Sequence, residues 1–193
     1  MAMRKGLLII LSGPSGVGKG TVRKVIFRKH LIDAVFSISM TTREKRPHEK
    51  EGVDYYFVSR EEFEDNLKRG NFLEHAEFVG NCYGTPKDKV EELRNQGKNV
   101  FLEIEINGAK QVLEKQIDDR VISFFLMPPS IRALESRIRK RNTESEDIIQ
   151  LRLKKGINEM EMCDNYDHVV LNEKINKAAN EIAKLVKIKL SEK

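Results

Sequence analysis

The segment Gly13-Pro14-Ser15-Gly16-Val17-Gly18-Lys19 has the G-x-x-x-x-G-K spacing of a phosphate-binding loop. Glycines allow the backbone to curl so that successive N–H groups point inward at phosphate oxygens, and a helix beginning at the end of the loop adds the positive end of its dipole. Lys19 then reaches the β and γ phosphates of a nucleoside triphosphate as a point charge. The next position, where Ser or Thr usually supplies a hydroxyl to Mg²⁺, is Gly20, with Thr21 following. The ion is therefore expected to be held by nucleotide phosphates and water, with Thr21 as the additional hydroxyl, which suits a cation that sheds water reluctantly.

A phosphate loop says nothing of the acceptor, and three further groups of residues bear on it. Arg43 and Arg46 stand three residues apart in a segment without helical periodicity, a spacing that lets two guanidinium groups clamp one phosphate. Tyr55, Glu74, Tyr83 and Thr85 supply hydroxyls and an acid to the same region. Arg137 and Arg141 lie at i, i+4 on a basic helix, with Arg152 beyond the next turn. Like charges at that spacing repel, and a lid that closes arginines over a transferring phosphoryl group would account for them.

These residues need a scaffold, and the hydrophobic pattern supplies one. Leu7–Leu11 is a continuous apolar run of the kind buried on both faces of a parallel sheet, and the glycine loop leads from it into a helix over 19–30. The alternation continues with a helix over 86–96, opened by Thr85 as N-cap and Pro86 at the first helical position. It runs on through a strand over 99–104, a helix over 108–115, a strand over 121–126 and a helix over 131–141. Thr143-Glu144-Ser145-Glu146 reads as a capping box for a helix reaching Cys163. A short strand over 168–171 precedes a terminal helix expected to bury Ile175, Ala179, Ile182, Val186 and Leu190. The stretch from Ser39 to Tyr83 breaks the rhythm with charge, aromatics, short β-like pieces and one capped helix over 60–69, and reads as an inserted subdomain.

The chain has 193 residues, 39% hydrophobic and 34% charged, with a net charge of +5, the balance of a single globular domain with no transmembrane segment. Its N-terminus lacks a signal-peptide pattern. Cys82 and Cys163 are too far apart for a disulfide framework or a zinc site and are expected as reduced thiols in a cytoplasmic protein. The excess of positive charge fits a polyanionic partner, a nucleic acid or a nucleotide. No basic stripe interleaved with aromatics favours a nucleic acid, and none of the four scattered histidines is assigned chemistry.

Taken together, the motifs resemble those of guanylate kinases, nucleoside monophosphate kinases of the P-loop class. The resemblance rests on the phosphate loop, Ser39-Met40-Thr41-Thr42-Arg43 with Arg46, and Asp54-Tyr55-Tyr56-Phe57-Val58. It continues through Phe72-Leu73-Glu74-His75-Ala76, Gly80-Asn81-Cys82-Tyr83-Gly84-Thr85 and Leu102-Glu103-Ile104-Glu105-Ile106-Asn107-Gly108. It implies an α/β fold: a P-loop parallel-sheet core with helices on both faces (1–38, 86–129 and 164–193), a small mixed β subdomain that binds the monophosphate (39–85), and a helical lid (130–163).

The resemblance also implies roles. Arg43, Arg46, Tyr55 and Tyr83 would hold the GMP phosphate, while Ser39, Glu74 and Thr85 would face the guanine, with Glu103 and Glu105 at the strand end on the GMP side. A carboxylate at Glu74 can accept from the N1–H and N2–H₂ donors of guanine and would repel the lone pair that adenine presents at N1. ATP would lie on Gly13 to Thr21, with Asn172 beside the adenine, and catalysis would fall to Lys19, Arg43, Arg137, Arg141 and Arg152. Glu105 stands where most members carry aspartate, and Asn142 where glycine is common. The implied reaction is phosphoryl transfer from ATP to GMP with Mg²⁺, by a monomer or homodimer with no nucleic acid or membrane partner. Glu74 is expected as an exposed cleft acid that contributes little to folding. The other readings are a non-catalytic guanylate kinase-like module that binds proteins and a kinase for another nucleoside monophosphate.

Overall fold

Residues 4–78, 80–115, 117–140 and 145–192 are described by a computed structural model of the protein, with the side chain of residue 78 left aside. In chain order the elements are β1 (Leu8–Ser12), α1 (Lys19–Arg28), β2 (Val35–Phe36), β3 (Met40–Thr41), β4 (Tyr56–Phe57), α2 (Arg60–Lys68), β5 (Phe72–Phe78) and β6 (Asn81–Pro86). They continue with α3 (Lys87–Asn95), β7 (Val100–Glu103), α4 (Ile106–Glu114), β8 (Val121–Met127), α5 (Ile131–Arg139), α6 (Glu146–Met160), β9 (His168–Leu171) and α7 (Ile175–Ser191).

One sheet is parallel, in the order β2-β7-β1-β8-β9. Its central strands are apolar without alternation because both faces are covered: all of β1 is buried, as are Val100, Phe101 and Leu102 of β7 and Phe124, Phe125 and Leu126 of β8. The second sheet is mixed, in the order β4-β3-β6-β5, with β3 parallel to β4 and antiparallel to β6, and β5 antiparallel to β6. Compact packing divides the chain into two units. The first comprises Met1–Leu8, Ala34–Phe101 and Asn107–Arg120; the second comprises Ile9–Asp33, Leu102–Ile106 and Val121–Lys193. The mixed sheet with α2, α3 and α4 belongs to the first, and the phosphate-loop segment with α1, α5, α6 and α7 to the second.

The structure corrects several sequence expectations. Thr85 is a strand residue of β6 rather than an N-cap; Pro86 takes the cap position of α3, without a side-chain cap bond, because the Thr85 hydroxyl is directed across the sheet instead. The fourth helix begins at Ile106, two residues earlier than Gly108. Ser145 caps α6 in extended backbone, and the helix ends at Met160 rather than Cys163; Thr143 and Glu144 of the expected capping box lie outside the described residues. In α7 the buried stripe is Ala178, Ala179, Ile182, Ala183 and Val186, while Ile175, at the first position of the helix and beyond the core, is 39% exposed and Leu190 is half-buried.

The mixed sheet has its own small core. Helix α2 starts at Ser59, whose side chain accepts from the Glu62 N–H, and it buries a single residue, Phe63. Phe63 stacks on Phe72 of β5 with ring centroids 4.6 Å apart, beside Cys82, Met40 and Val58. Phe63→Ala removes the one anchor of the helix, so a stability loss of about 3–5 kcal/mol is expected, read from the urea transition. A loss under about 1 kcal/mol would show that the sheet holds without that anchor.

Candidate active site

The loop after β1 has the geometry that its glycines permit. Gly13, Gly16 and Gly18 take φ of 141°, 86° and 103°, values that side chains rarely adopt. At Gly13 space is limiting too, since a Cβ there would lie 2.4 Å from the Leu126 carbonyl oxygen of β8. The Lys19 ammonium donates to the Gly13 and Pro14 carbonyls at 2.5 and 3.3 Å, so its charge is folded against the loop.

Other groups of the same unit close on this loop. Arg137 of α5 donates to the Val17 carbonyl at 2.9 Å and to the Asn172 carbonyl at 2.7 Å. Arg152 of α6 donates to Ser15 Oγ at 2.8 Å, and the Ser15 N–H donates to Glu159 at 3.4 Å. Asn172, 1% exposed, donates its amide to the Val17 carbonyl at 2.8 Å and so braces the loop from below. Arg141 and Asn142 lie outside the described residues.

Among the described residues no group of three or more His, Cys, Asp or Glu could hold a metal ion. Thr21 is exposed. A Cβ at Gly20 would lie 3.2 Å from Glu103 Oε1, and the Glu103 carboxylate is paired with Arg23 at 2.6 Å. Glu105, the second strand-end acid, lies 3.6 Å from Lys155 Nζ of α6.

The first unit brings together a different set. The register of β5 against β6 slips between Phe72 and Glu74, so that Phe72 faces Pro86 and Glu74 faces Thr85, a bulge that re-aims the strand. The Thr85 hydroxyl donates to Glu74 Oε1 at 2.5 Å. Glu74 is 5% exposed, which overturns the expectation of an exposed cleft acid: the bulge and the start of α4 enclose it.

Gly108 and Gln111 of α4, with Lys115 just past its end, stand at i, i+3 and i+7 and hold the edge strand there. A Cβ at Gly108 would lie 2.3 Å from Glu74 Oε2, so only glycine lets the carboxylate sit beside the first turn of the helix. Gln111 accepts from the His75 N–H at 3.1 Å and donates to its carbonyl at 2.8 Å, pairing with β5 much as a strand would. Lys115 donates to the Leu73 carbonyl at 2.5 Å, at the bulge itself.

Arg43 extends from the end of β3. Thr41 Oγ1 accepts from the Arg43 N–H at 3.2 Å and donates to the Cys82 carbonyl at 3.0 Å, which fixes where the side chain starts. Its guanidinium carbon lies 5.5 Å from the Tyr55 ring centroid and 5.9 Å from that of Phe57, and the Tyr55 and Tyr83 rings meet edge-on at 6.1 Å. Arg43, Tyr55 and Tyr83 therefore form one cluster. Arg46 follows in an exposed turn, and Ser39 accepts from the Tyr56 N–H through its backbone carbonyl at 2.9 Å.

Comparison with known proteins decides the family. The guanylate kinase family model matches residues 5–189. The guanylate kinase of Oceanobacillus iheyensis is 50% identical over 97% of this chain and 89% of its own length; that of Lactiplantibacillus plantarum is 49% identical over 95% and 88%. The chain belongs to the guanylate kinase family. The crystal structure of guanylate kinase from Anaplasma phagocytophilum has the same fold, with a TM-score of 0.79 and 35% identity over all of this chain and 90% of that one. Within this family the phosphate loop was legible from spacing. Gly108, Gln111 and Lys115 were not singled out, although their i, i+3, i+7 spacing and the glycine near a helix start were visible signals.

Gly108→Ala isolates the role of that glycine. Alanine favours the helix by about 0.8–1 kcal/mol, and the group it strikes is the flexible end of Glu74, so the melting temperature should change little. The carboxylate, however, must leave Thr85, and losing its placement should lower kcat/KM for GMP by about 10- to 150-fold with the KM for ATP unchanged. Unaltered GMP kinetics would show that Glu74 has no part in recognising the acceptor.

Proposed function

We infer that this chain transfers the γ-phosphoryl group of ATP to the phosphate of GMP, giving ADP and GDP. The observation that carries the acceptor assignment is the buried Glu74 carboxylate, held by Thr85 beside Gly108. A carboxylate has about four acceptor positions, enough to accept from the Thr85 hydroxyl together with two adjacent donors such as N1–H and N2–H₂ of guanine. Adenine would turn a lone pair toward it.

In this reading the two units divide the work. Gly13 to Thr21 hold the ATP phosphates, with backbone N–H groups as donors and Lys19 moving from the Gly13 and Pro14 carbonyls to the phosphates. Arg137 and Arg152, already directed at the loop, together with Arg141, supply positive charge to the transferring group. Arg43, Arg46, Tyr55 and Tyr83 hold the GMP phosphate, one oxygen of which attacks the γ-phosphorus as the bond to the β,γ-bridging oxygen breaks. Negative charge gathers on that bridge, where Lys19 counts most. Ser39 completes the base site, and Asn172 supports the adenine side through its brace on the loop.

Magnesium, when bound with ATP, neutralises charge on the β and γ phosphates. The donor set fits an ion held mainly by those phosphates and water, with Glu103 the acid nearest Gly20 and Thr21 and Glu105 farther candidates. The same reading takes the protein as a cytoplasmic monomer or homodimer with ATP and GMP as its partners and no nucleic acid or membrane partner; its two cysteines are free thiols, and among the described residues no helix is long and apolar enough to cross a membrane.

Two variants and one substrate panel test this. Lys19→Met should lower turnover by about three orders of magnitude or more while circular dichroism stays native. Glu74→Gln should cost about 2–4 kcal/mol in kcat/KM for GMP, roughly 30- to 1000-fold, with little change in KM for ATP and a loss of about 1 kcal/mol in stability because the residue is buried. Release of ADP is compared across GMP, AMP and dTMP. A wild-type preference for AMP or dTMP would overturn the acceptor assignment and leave the phosphate loop standing.

A further inference from the structure

Arg43 already has an anionic partner, supplied by the chain itself. Its Nη2 donates to both carboxylate oxygens of Glu49, at 2.7 and 3.0 Å, and its Nη1 donates to the Glu44 carbonyl at 2.7 Å. The pair is well shielded, with side-chain exposures of 16% and 10%. The guanidinium also stands beside Tyr55 and Tyr83, and Tyr83 joins Glu49 in favouring its charged form.

Glu49 is itself fixed by local chemistry. Its N–H donates to the Arg46 carbonyl at 3.0 Å, a four-residue turn in which Pro47 takes the second position and presets the required φ. Its side chain then folds back to accept from the Arg46 N–H at 2.9 Å. The carboxylate is thus built into the turn that also carries Arg46, and both donors hold its carboxyl below the usual carboxylate range.

We propose that Glu49 is a positioning residue for the acceptor phosphate: it grips Nη2 of Arg43 and fixes the plane of the guanidinium beside Tyr55 and Tyr83, where the GMP phosphate would bind. The proposal rests on the reading of Arg43 as a phosphate ligand. An arginine side chain alone has several rotatable bonds, and a fork that must be oriented on each binding event loses affinity to that ordering. A carboxylate held on Nη2 through both of its oxygens restricts the guanidinium before the phosphate arrives. A loosely tethered carboxylate could instead act as a stand-in that the phosphate must displace, but the bonds to the Arg46 N–H and the Pro47 turn hold Glu49 where it is. The two roles make opposite predictions, because removing a competitor strengthens GMP binding and removing a positioning group weakens it.

Glu49→Gln keeps an acceptor for the Arg46 N–H, so the turn should survive, while the charge on Arg43 is lost. The expected result is a rise of about tenfold or more in KM for GMP, matched by calorimetric binding of GMP alone, against a kcat change of about twofold or less and an unchanged KM for ATP. In an Arg43→Lys background the same substitution should add less than about twofold, since it acts through Arg43. If Glu49→Gln does not fold, Glu49→Asp, which keeps the charge on a shorter arm, carries the same test with a smaller rise. A KM for GMP that falls or stays constant overturns the proposal, as does an equal rise in the Arg43→Lys background. If Arg43→Lys by itself leaves the KM for GMP unaltered, the premise fails, and the proposal with it, while the wild-type preference for GMP continues to stand on Glu74.

Discussion

A carboxylate at 5% exposure must be surrounded by donors, and the first unit is arranged around meeting that requirement at Glu74. The bulge before it brings the side chain opposite Thr85, whose hydroxyl gives one hydrogen bond. The bare α-carbon of Gly108 admits its other oxygen to the first turn of α4, where unsatisfied N–H groups and the helix dipole favour a negative charge. Gln111 and Lys115 then tie the same helix to the backbone of β5, which is the edge strand of its sheet. Covering an edge in this way protects it from stray pairing, and here it also fixes the height of Glu74 along the strand.

In the second unit the same rule applies with the sign reversed. Lys19 rests on carbonyls of the loop, Arg137 on the carbonyls of Val17 and Asn172, and Arg152 on the Ser15 hydroxyl. Each of these bonds is neutral at the acceptor, whereas Arg43 is held by the ionised Glu49. A hydrogen bond to a carboxylate is the stronger of the two kinds, so the guanidinium of Arg43 is the more firmly oriented by the bonds named here.

Much of this was legible in the sequence, and the remainder was hidden for identifiable reasons. The phosphate loop and the parallel strands rest on local glycine spacing and continuous apolar runs, and β9 falls on the expected residues. The strands β5 and β6 carry charge, glycine and proline in place of alternation, so periodicity could not find them; tertiary pairing makes them. Thr85-Pro86-Lys87-Asp88 has the composition of a helix start, yet the threonine hydroxyl goes to Glu74, a partner eleven residues away that no local rule could name. Glu49 reads in isolation as one acid of a charged loop, and its value depends on a turn closing it onto Arg43.

The one departure visible within the loop motif, Gly20 in place of a hydroxyl residue, acquires a physical reason from Glu103. A side chain at that position would begin 3.2 Å from Glu103 Oε1, closer than nearly all such contacts, so a serine there would press on the carboxylate. Arg23 holds the same carboxylate from α1 at 2.6 Å and limits how far it can retreat. Glycine and glutamate thus belong together: the residue after Lys19 gives up its side chain, and the space beside the loop goes to an ionised group delivered from the end of β7.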